Sequence, residues 1–192
     1  GSSALYANTE GSNNVAIGYN SLSSNIDGNQ NIATGYDALK ENTEGSANTA
    51  TGYQTLSKNT EGNFNAANGA YGLFNNTTGD YNTSIGYYGG IVNTTGSNNT
   101  YIGYQTNATS GDLTNATAIG NGAIVGASNA LILGNDQVKV GIGTDTPLAS
   151  LDLSQKTDGI AIPSGTTAEQ PGTTPPGTIR FNSDGNYFEG YN

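Results

Sequence analysis

The sequence predicts an all-β fold, a parallel β-roll or β-solenoid of short stacked coils, and three observations lead to this prediction. A 17-residue unit is written six times between Gly11 and Thr109, and the first half of each unit alternates in side-chain character. Only 33% of the 192 residues are hydrophobic and 29 are glycine, too little apolar volume for a conventional core. A short fixed period means that one unit buries no core alone and must stack on its neighbours.

Two glycine columns and two asparagine columns define the unit, and the strict spacing argues against disorder. The glycines are Gly11, Gly28, Gly45, Gly62, Gly79 and Gly96, then Gly18, Gly35, Gly52, Gly69, Gly86 and Gly103. The asparagines are Asn14, Asn31, Asn48, Asn65, Asn82 and Asn99, then Asn8, Asn25, Asn42, Asn59, Asn76 and Asn93. Stacked coils place like residues over like, so we expect amide ladders at turns, where asparagine also tolerates left-handed backbone angles.

The first half of the unit predicts a strand. Residues 14, 16 and 18 share one side, whereas Val15, Ile17 and Tyr19 share the other, which is a period of two. The second half, around Leu22, is flanked by Asn and Gly suited to turns. We therefore expect a coil of two short strands and two turns, with the Gly18 column at a bend or close backbone approach.

The outward column that begins at Val15 is mixed in character, and one coil buries little surface. Its later members are Ile32, Thr49, Ala66, Thr83 and Thr100. Closing this face against two symmetry mates would supply the missing burial. The sequence therefore predicts an intertwined homotrimer.

Composition excludes several functions. The net charge of −10 argues against partners such as nucleic acid or an anionic membrane surface. No transmembrane run is visible, so we expect no membrane insertion. Without His or Cys there is no soft metal site and no thiol or imidazole chemistry, and the scattered carboxylates and serines form no catalytic group. We predict a protein that is not an enzyme and that has no cofactor and no metal.

A carboxylate often precedes the first glycine of the unit, at Glu10, Asp27, Glu44 and Glu61. Stacked about 5 Å apart, such groups repel by roughly 1 kcal/mol per pair in water, and a bound Ca²⁺ would relieve this. The favoured alternative is a solvated rim, because the column continues as threonine.

Aromatic residues crowd the later, less regular copies between Gly62 and Thr109. The candidate ligand-binding residues are Tyr71, Tyr81, Tyr87, Tyr88, Tyr101 and Tyr104. Aromatic faces stack on sugars and amides hydrogen-bond to hydroxyls, so one interpretation is a glycan-binding surface. The other is local repacking or contacts within the trimer.

The chain changes pattern after Asn115, and a resemblance appears there. Residues 116–123 read Ala-Thr-Ala-Ile-Gly-Asn-Gly-Ala, and residues 126–134 read Gly-Ala-Ser-Asn-Ala-Leu-Ile-Leu-Gly. With the earlier Asn-x-Ala-Ile-Gly units, they resemble the head repeats of trimeric autotransporter adhesins. Over residues 1–134 the resemblance implies a trimeric left-handed parallel β-roll, although a 17-residue coil is longer than the common adhesin repeat.

Residues 138–153, Val-Lys-Val-Gly-Ile-Gly-Thr-Asp-Thr-Pro-Leu-Ala-Ser-Leu-Asp-Leu, are similar to a junction common in phage tail fibres and related injection-system fibres. Residues 159–163 and 177–192 are similar to C-terminal segments of such fibres. The resemblance implies a trimeric virion or extracellular fibre that attaches to a host.

Four regions are expected: the repeat solenoid (1–110), adhesin-head-like coils and junction (111–153), an extended linker (154–176) and a β-hairpin (177–192) that begins a truncated region. In the hairpin, Ile179 and Phe181 alternate and Asp184–Gly185 suits a type I′ turn.

The expected function is structural. The chain is interpreted as a trimeric, receptor-presenting segment of a phage tail fibre or injection device, located on the virion. Its expected partners are a host cell-surface glycan or protein receptor and other tail components. One alternative is a trimeric autotransporter adhesin head on a bacterial surface, and another is an ice-binding β-solenoid, which the mixed outward columns disfavour. A polysaccharide-cleaving spike is the fourth interpretation.

Overall fold

The computed structural model describes residues 1–157, 159–170 and 176–190. The chain divides into two compact units, Gly1–Val140 and Gly141–Asn192. Regular structure in the described residues is β-strand apart from one 3-10 turn at Thr167–Glu169. The predicted all-β class is confirmed.

The first unit is a parallel β-solenoid, as the repeat predicts. Its sheet has eight strands: β1 (Val15–Ile17), β2 (Ile32–Thr34), β3 (Thr49–Thr51), β4 (Ala66–Asn68), β5 (Thr83–Ile85), β6 (Thr100–Ile102), β8 (Thr117–Ile119) and β10 (Leu131–Leu133). Each strand pairs in parallel with the next, and Val15 lies opposite Ile32, one repeat later. The final step is shorter, since Thr117 lies opposite Leu131, 14 residues on.

Each regular coil contains one strand rather than the two that were expected. A second strand occurs only in the last coils, where β7 (Asn107–Ala108) pairs with β9 (Ile124–Val125). Elsewhere the second half of the coil folds as turns, because its backbone is left-handed at alternate residues, such as Asn20 (φ 52°) and Leu22 (φ 51°). A left-handed residue cannot continue a strand.

One leucine of each regular coil lies in the interior, although its backbone is left-handed. Leu22, Leu39, Leu56 and Leu73 are fully buried and all have positive φ. The left-handed conformation costs about 1–2 kcal/mol for each such residue. Burial of the side chain offsets this cost, since a fully buried leucine contributes about 1.5–3 kcal/mol. Bonds between coils satisfy the backbone, as where Leu22 N donates to Ala38 O at 3.0 Å.

The second glycine column lies where the predicted close approach occurs. Gly18 has φ +133°, and a Cβ atom there would collide with the carbonyl oxygen of Gly35 in the next coil. The contact recurs along the column, so a side chain at any of these positions would push the coils apart.

The asparagine ladders are confirmed, but they lie in the interior and not at left-handed turns. Asn42 donates Nδ2 to Asn25 Oδ1 at 2.8 Å and to Gly45 O at 2.9 Å. In the other column, Asn48 Oδ1 accepts from Asn65 N at 2.9 Å. From Asn25 to Asn99 both columns are buried. The left-handed residues are their neighbours, such as Ala47 and Phe64.

A third polar ladder was not expected. The position after the first glycine reads Ser12, Asn29, Ser46, Asn63, Asp80 and Ser97, and from Asn29 onward each of these side chains accepts from the backbone N–H of the coil before. Ser12 N donates to Asn29 Oδ1, and Asn29 N donates to Ser46 Oγ, both at 2.9 Å. Within the described residues, no buried side-chain nitrogen or oxygen lacks a hydrogen-bond partner.

From Val140 onward, the strands are short. β11 (Val140–Gly141) pairs with β12 (Leu151–Asp152), and a separate sheet contains β13 (Ser164–Gly165), β14 (Ile179–Asn182) and β15 (Tyr187–Gly190). The antiparallel pairing of β14 and β15 confirms the hairpin. Its loop is longer than the predicted two-residue turn, because Asn182 lies opposite Tyr187 and four residues connect them.

The linker expected over residues 154–176 is not extended throughout. Residues 164–165 form a strand parallel to β14, and the 3-10 turn follows. Arg180 holds this segment, since its Nη2 donates to Thr166 O at 2.8 Å and its Nε contacts Glu189 Oε2 at 2.6 Å. The part of the expected linker at residues 171–175 lies outside the described residues.

Candidate binding surface

A line of exposed aromatic rings follows one edge of the solenoid. We call it the aromatic ribbon; it contains Tyr19, Tyr36, Tyr53, Tyr71, Tyr87, Tyr88 and Tyr104. Its regular members come two residues after each strand, so coil stacking places one ring over the next. Tyr19 and Tyr36 stack with centroids 5.3 Å apart, and Tyr36 and Tyr53 with centroids 5.2 Å apart. These rings are about half exposed.

The stack is interrupted where Ala70 replaces tyrosine. Tyr71, one position later in the chain, meets Tyr53 edge-on at 5.3 Å with an angle of 68° between the planes. Tyr71 then stacks on Tyr88 at 4.8 Å and 30°. The regular stack resumes with Tyr87 and Tyr104 at 5.6 Å and 12°. We call Tyr71 and Tyr88 the turned pair.

The turned pair belongs to a different column of the coil from the rest of the ribbon. Its neighbours in that column are Gln54 in the coil before and Gln105 in the coil after. Gln105 is exposed and Gln54 is half-buried. The pair is therefore bracketed by two carboxamides.

One cation lies near the turned pair. The ring of Phe74 meets Tyr71 edge-on at 5.7 Å, and Lys58 Nζ lies 4.9 Å from the centroid of Phe74. The same ammonium donates to Asn75 Oδ1 at 3.0 Å. A cation over an aromatic face is attracted by the ring quadrupole, so the contact orders Phe74 beside the pair.

Contacts among the rings raise the pKa of two of the hydroxyl groups, those of Tyr71 and Tyr87. The pKa of Tyr87 is raised first by a hydrogen bond with the side chain of Tyr88 and then by partial desolvation. Desolvation, followed by the charge of Tyr53, raises the pKa of Tyr71. At neutral pH these hydroxyls are neutral donors and acceptors.

The structure brings four of the six predicted site residues together: Tyr71, Tyr87, Tyr88 and Tyr104 all lie in the ribbon. Tyr81 lies elsewhere, because it comes two residues before β5, whereas Tyr87 follows two residues after it. Tyr81 is exposed at the opposite end of the strand and stacks on Phe64 at 4.9 Å and 3°.

The assignment of Tyr101 to the site is wrong, because its side chain is 0% exposed. It occupies a position that is alanine in the coils of Ala33 and Ala50, and it fills space that the leucine column vacates at Gly90. A Cβ atom on Gly90 would lie 2.5 Å from Tyr101 Cδ2. Burial raises the pKa of Tyr101 to about 12.

Sequence reasoning missed the first three rings of the ribbon and the two flanking glutamines. Tyr19, Tyr36 and Tyr53 recur every 17 residues, and one exposed tyrosine per coil in a stacked fold necessarily forms a line. That spacing was a sufficient signal. The replacement at Ala70 marks the interruption.

The carboxylate column and the outward face of the sheet were also considered as candidate sites. Glu10, Asp27, Glu44 and Glu61 are exposed, and in the described ranges no group of three or more His, Cys, Asp or Glu is arranged to hold a metal. The outward face of the sheet carries no charged residue in its strands. No helix among the residues described is long and apolar enough to cross a membrane.

Comparison of the chain with protein-family models, with curated proteins and with solved structures finds no match.

Proposed function

We propose that this chain is a structural, host-attaching segment of a fibre, from a phage tail or a related contractile injection device. A homotrimer presents the aromatic ribbon to a receptor on the host cell. The observation that carries the proposal is the ribbon itself. Large exposed apolar patches are uncommon on monomeric soluble proteins and mark interaction sites.

The scaffold suits this role because its order does not depend on a large core. Amide and backbone ladders join every coil to the next, so the rings stand on a regular, rigid support. Stacked repeats of this kind commonly provide extended binding surfaces. The chemistry of the surface, rings beside carboxamides, is that of recognition and not of bond cleavage, and we propose no enzymatic activity.

The proposed trimer uses the outward face of the sheet. Ile17, Ile85 and Leu131 are each more than half exposed there, and Val15 and Ile32 nearly so. Burying this uncharged face against two further copies would remove apolar surface from water. The proposed partners are a host glycan or protein receptor and other tail components, and the proposed location is the virion tail fibre.

A direct test labels the purified protein with a fluorophore and measures its adsorption to a panel of bacterial cells. Immunogold electron microscopy with an antibody to this chain supplies the location. We expect saturable adsorption to particular strains and gold at the tail fibres of viral particles. The proposal would be contradicted if the protein adsorbed to none of the strains and the gold label lay away from the tail fibres.

A second candidate, the head of a trimeric bacterial adhesin, is favoured by the change in coil length. The coil shortens to 14 residues at the step from Thr117 to Leu131, within the stretch that most resembles adhesin heads. The same immunogold measurement separates the candidates, since an adhesin would be labelled on the bacterial envelope.

A further inference from the structure

We propose that the turned pair, Tyr71 and Tyr88, is a platform for a neutral polysaccharide whose chain continues along the ribbon towards Tyr104. This inference rests on the proposed attachment function and names the class of receptor. It concerns one place on the ribbon, the interruption at Ala70, and not the regular stack.

The stacked rings are poor sugar platforms because their faces are occupied. Tyr36 is covered on both sides by Tyr19 and Tyr53, with planes within 16° of parallel. Such rings present only edges and hydroxyls to solvent. A sugar packs its C–H surface against an aromatic face, so it needs a ring whose plane is turned out of the stack.

The turned pair provides this orientation. The plane of Tyr71 makes an angle of 68° with Tyr53 and 89° with Tyr87. Tyr71 and Tyr88 stack on each other with centroids 4.8 Å apart and planes 30° from parallel, so each ring covers only one face of its partner. The plane of Tyr88 makes an angle of 61° with that of Tyr87. Both planes are turned away from those of the regular stack, and both side chains are partly exposed.

Polar groups surround the pair at the positions where a sugar presents its hydroxyls. Gln54 and Gln105 flank it along the column, and Tyr87 lies beside it, with its ring centroid 4.3 Å from that of Tyr88 and 6.2 Å from that of Tyr71. Carboxamides and hydroxyls both donate and accept, which suits a ligand rich in hydroxyl groups. A few polar groups around an apolar surface are typical of ligand sites.

Charge favours a neutral ligand over an acidic one, because the cation near the pair, Lys58, is engaged by the ring of Phe74 and by Asn75 Oδ1. The chain carries a net charge of −10, which repels an anionic polymer. Asp37, the nearest acid in the column of the turned pair, is buried and accepts from Asn20 and, weakly, from Gln54. It also faces Lys40 at 3.6 Å, so its charge is compensated within the protein.

The experiment is a glycan microarray of neutral and acidic polysaccharides, followed by titration calorimetry with the best neutral ligand. The variants are Tyr71→Ala and Tyr88→Ala, with Tyr71→Phe to retain the ring. The controls are Tyr6→Ala and Tyr81→Ala, two exposed tyrosines that lie outside the ribbon. We expect about tenfold weaker binding for either alanine variant of the pair, and little change for Tyr71→Phe and the controls.

A measurement on the unsubstituted protein covers the case in which an alanine variant does not fold. Nitration of tyrosines by tetranitromethane, mapped by mass spectrometry, should be slower at Tyr71 and Tyr88 when the neutral ligand is bound, and unchanged at Tyr81. Binding of acidic glycans only, binding that survives loss of both rings, or equal nitration with and without ligand would overturn the proposal. Adsorption to cells without binding to any neutral glycan would overturn it as well, while leaving the attachment function standing.

Discussion

At the scale of single residues, the interior asparagines specify how the coils stack. Each one binds its counterpart or the backbone in a neighbouring coil and a glycine carbonyl nearby, so it fixes both the spacing and the register. Asn59 donates to Asn42 Oδ1 at 2.8 Å and to Gly62 O at 2.9 Å, and it accepts from Asn76 at 2.8 Å. A shifted register would leave these buried groups unpaired, which costs about 1–3 kcal/mol each.

Replacing Asn59 with alanine should therefore lower the free energy of unfolding by about 2–4 kcal/mol, because it leaves two buried amides each short of a partner. Urea denaturation followed by circular dichroism measures the change. The matched control is Asn8→Ala in the same column, where the side chain is half-exposed and water replaces the lost bonds. A similar loss for both variants would show that burial of the ladder is not the cause.

Tyr101 gives a second prediction, on pH. Its pKa is raised from the ordinary value of 10.0 to about 12 by burial, so the folded protein holds this proton more tightly than the unfolded chain. Stability is then unaffected by this group below pH 10 and falls as pH rises from 10 to 12, by about 2–3 kcal/mol in total. The free energy of unfolding, measured at pH 8, 10, 11 and 12, should fall less with rising pH in Tyr101→Phe than in the unsubstituted protein. Equal decreases in the two proteins would contradict the prediction.

At the scale of the coil, an irregular copy keeps its interior packed because one residue change compensates for another. Where the leucine column becomes glycine at position 90, the alanine column gains a tyrosine at position 101 that occupies the same space. Gly90 has φ +64°, close to the 49° of Leu73 in the coil before, so the backbone at this position already accommodates leucine.

This exchange predicts a strong coupling between the two positions. Tyr101→Ala should cost about 3–5 kcal/mol, as loss of a large buried side chain does. Gly90→Leu alone should also destabilise, because its side chain collides with the Tyr101 ring. The double variant should recover stability by about 1–3 kcal/mol relative to the sum of the single changes. A double-mutant cycle that sums additively would contradict the compensation.

Some features of the coil could be predicted from the sequence, and others could not. Period and alternation predicted the parallel strands and their two sides, the close glycine contacts and the amide ladders. They did not predict left-handed leucines such as Leu22, because propensity disfavours that conformation and only burial offsets it. Nor did they place Tyr101 in the core, since its burial depends on a missing side chain at Gly90, in the preceding coil. The turned pair depends in the same way on Ala70.

At the scale of the whole molecule, the proposed trimer predicts the effect of a charge on the outward face of the sheet. Ile85→Asp places a carboxylate at the middle of the proposed interface in all three copies, where desolvation and mutual repulsion oppose assembly. Sedimentation velocity should show dissociation or a marked loss of trimer. The control, Thr95→Asp, adds the same charge at an exposed turn of the same unit and should leave the assembly unchanged.

The central claim, that this solenoid works as a segment of a trimeric fibre, is tested most directly by the mass of the purified protein in solution. Multi-angle light scattering coupled to size-exclusion chromatography measures it without reference to shape. A trimer has the mass of three chains, each of 19.5 kDa, and we expect this mass at low micromolar concentration. A mass of 19.5 kDa, that of a single chain, would contradict it.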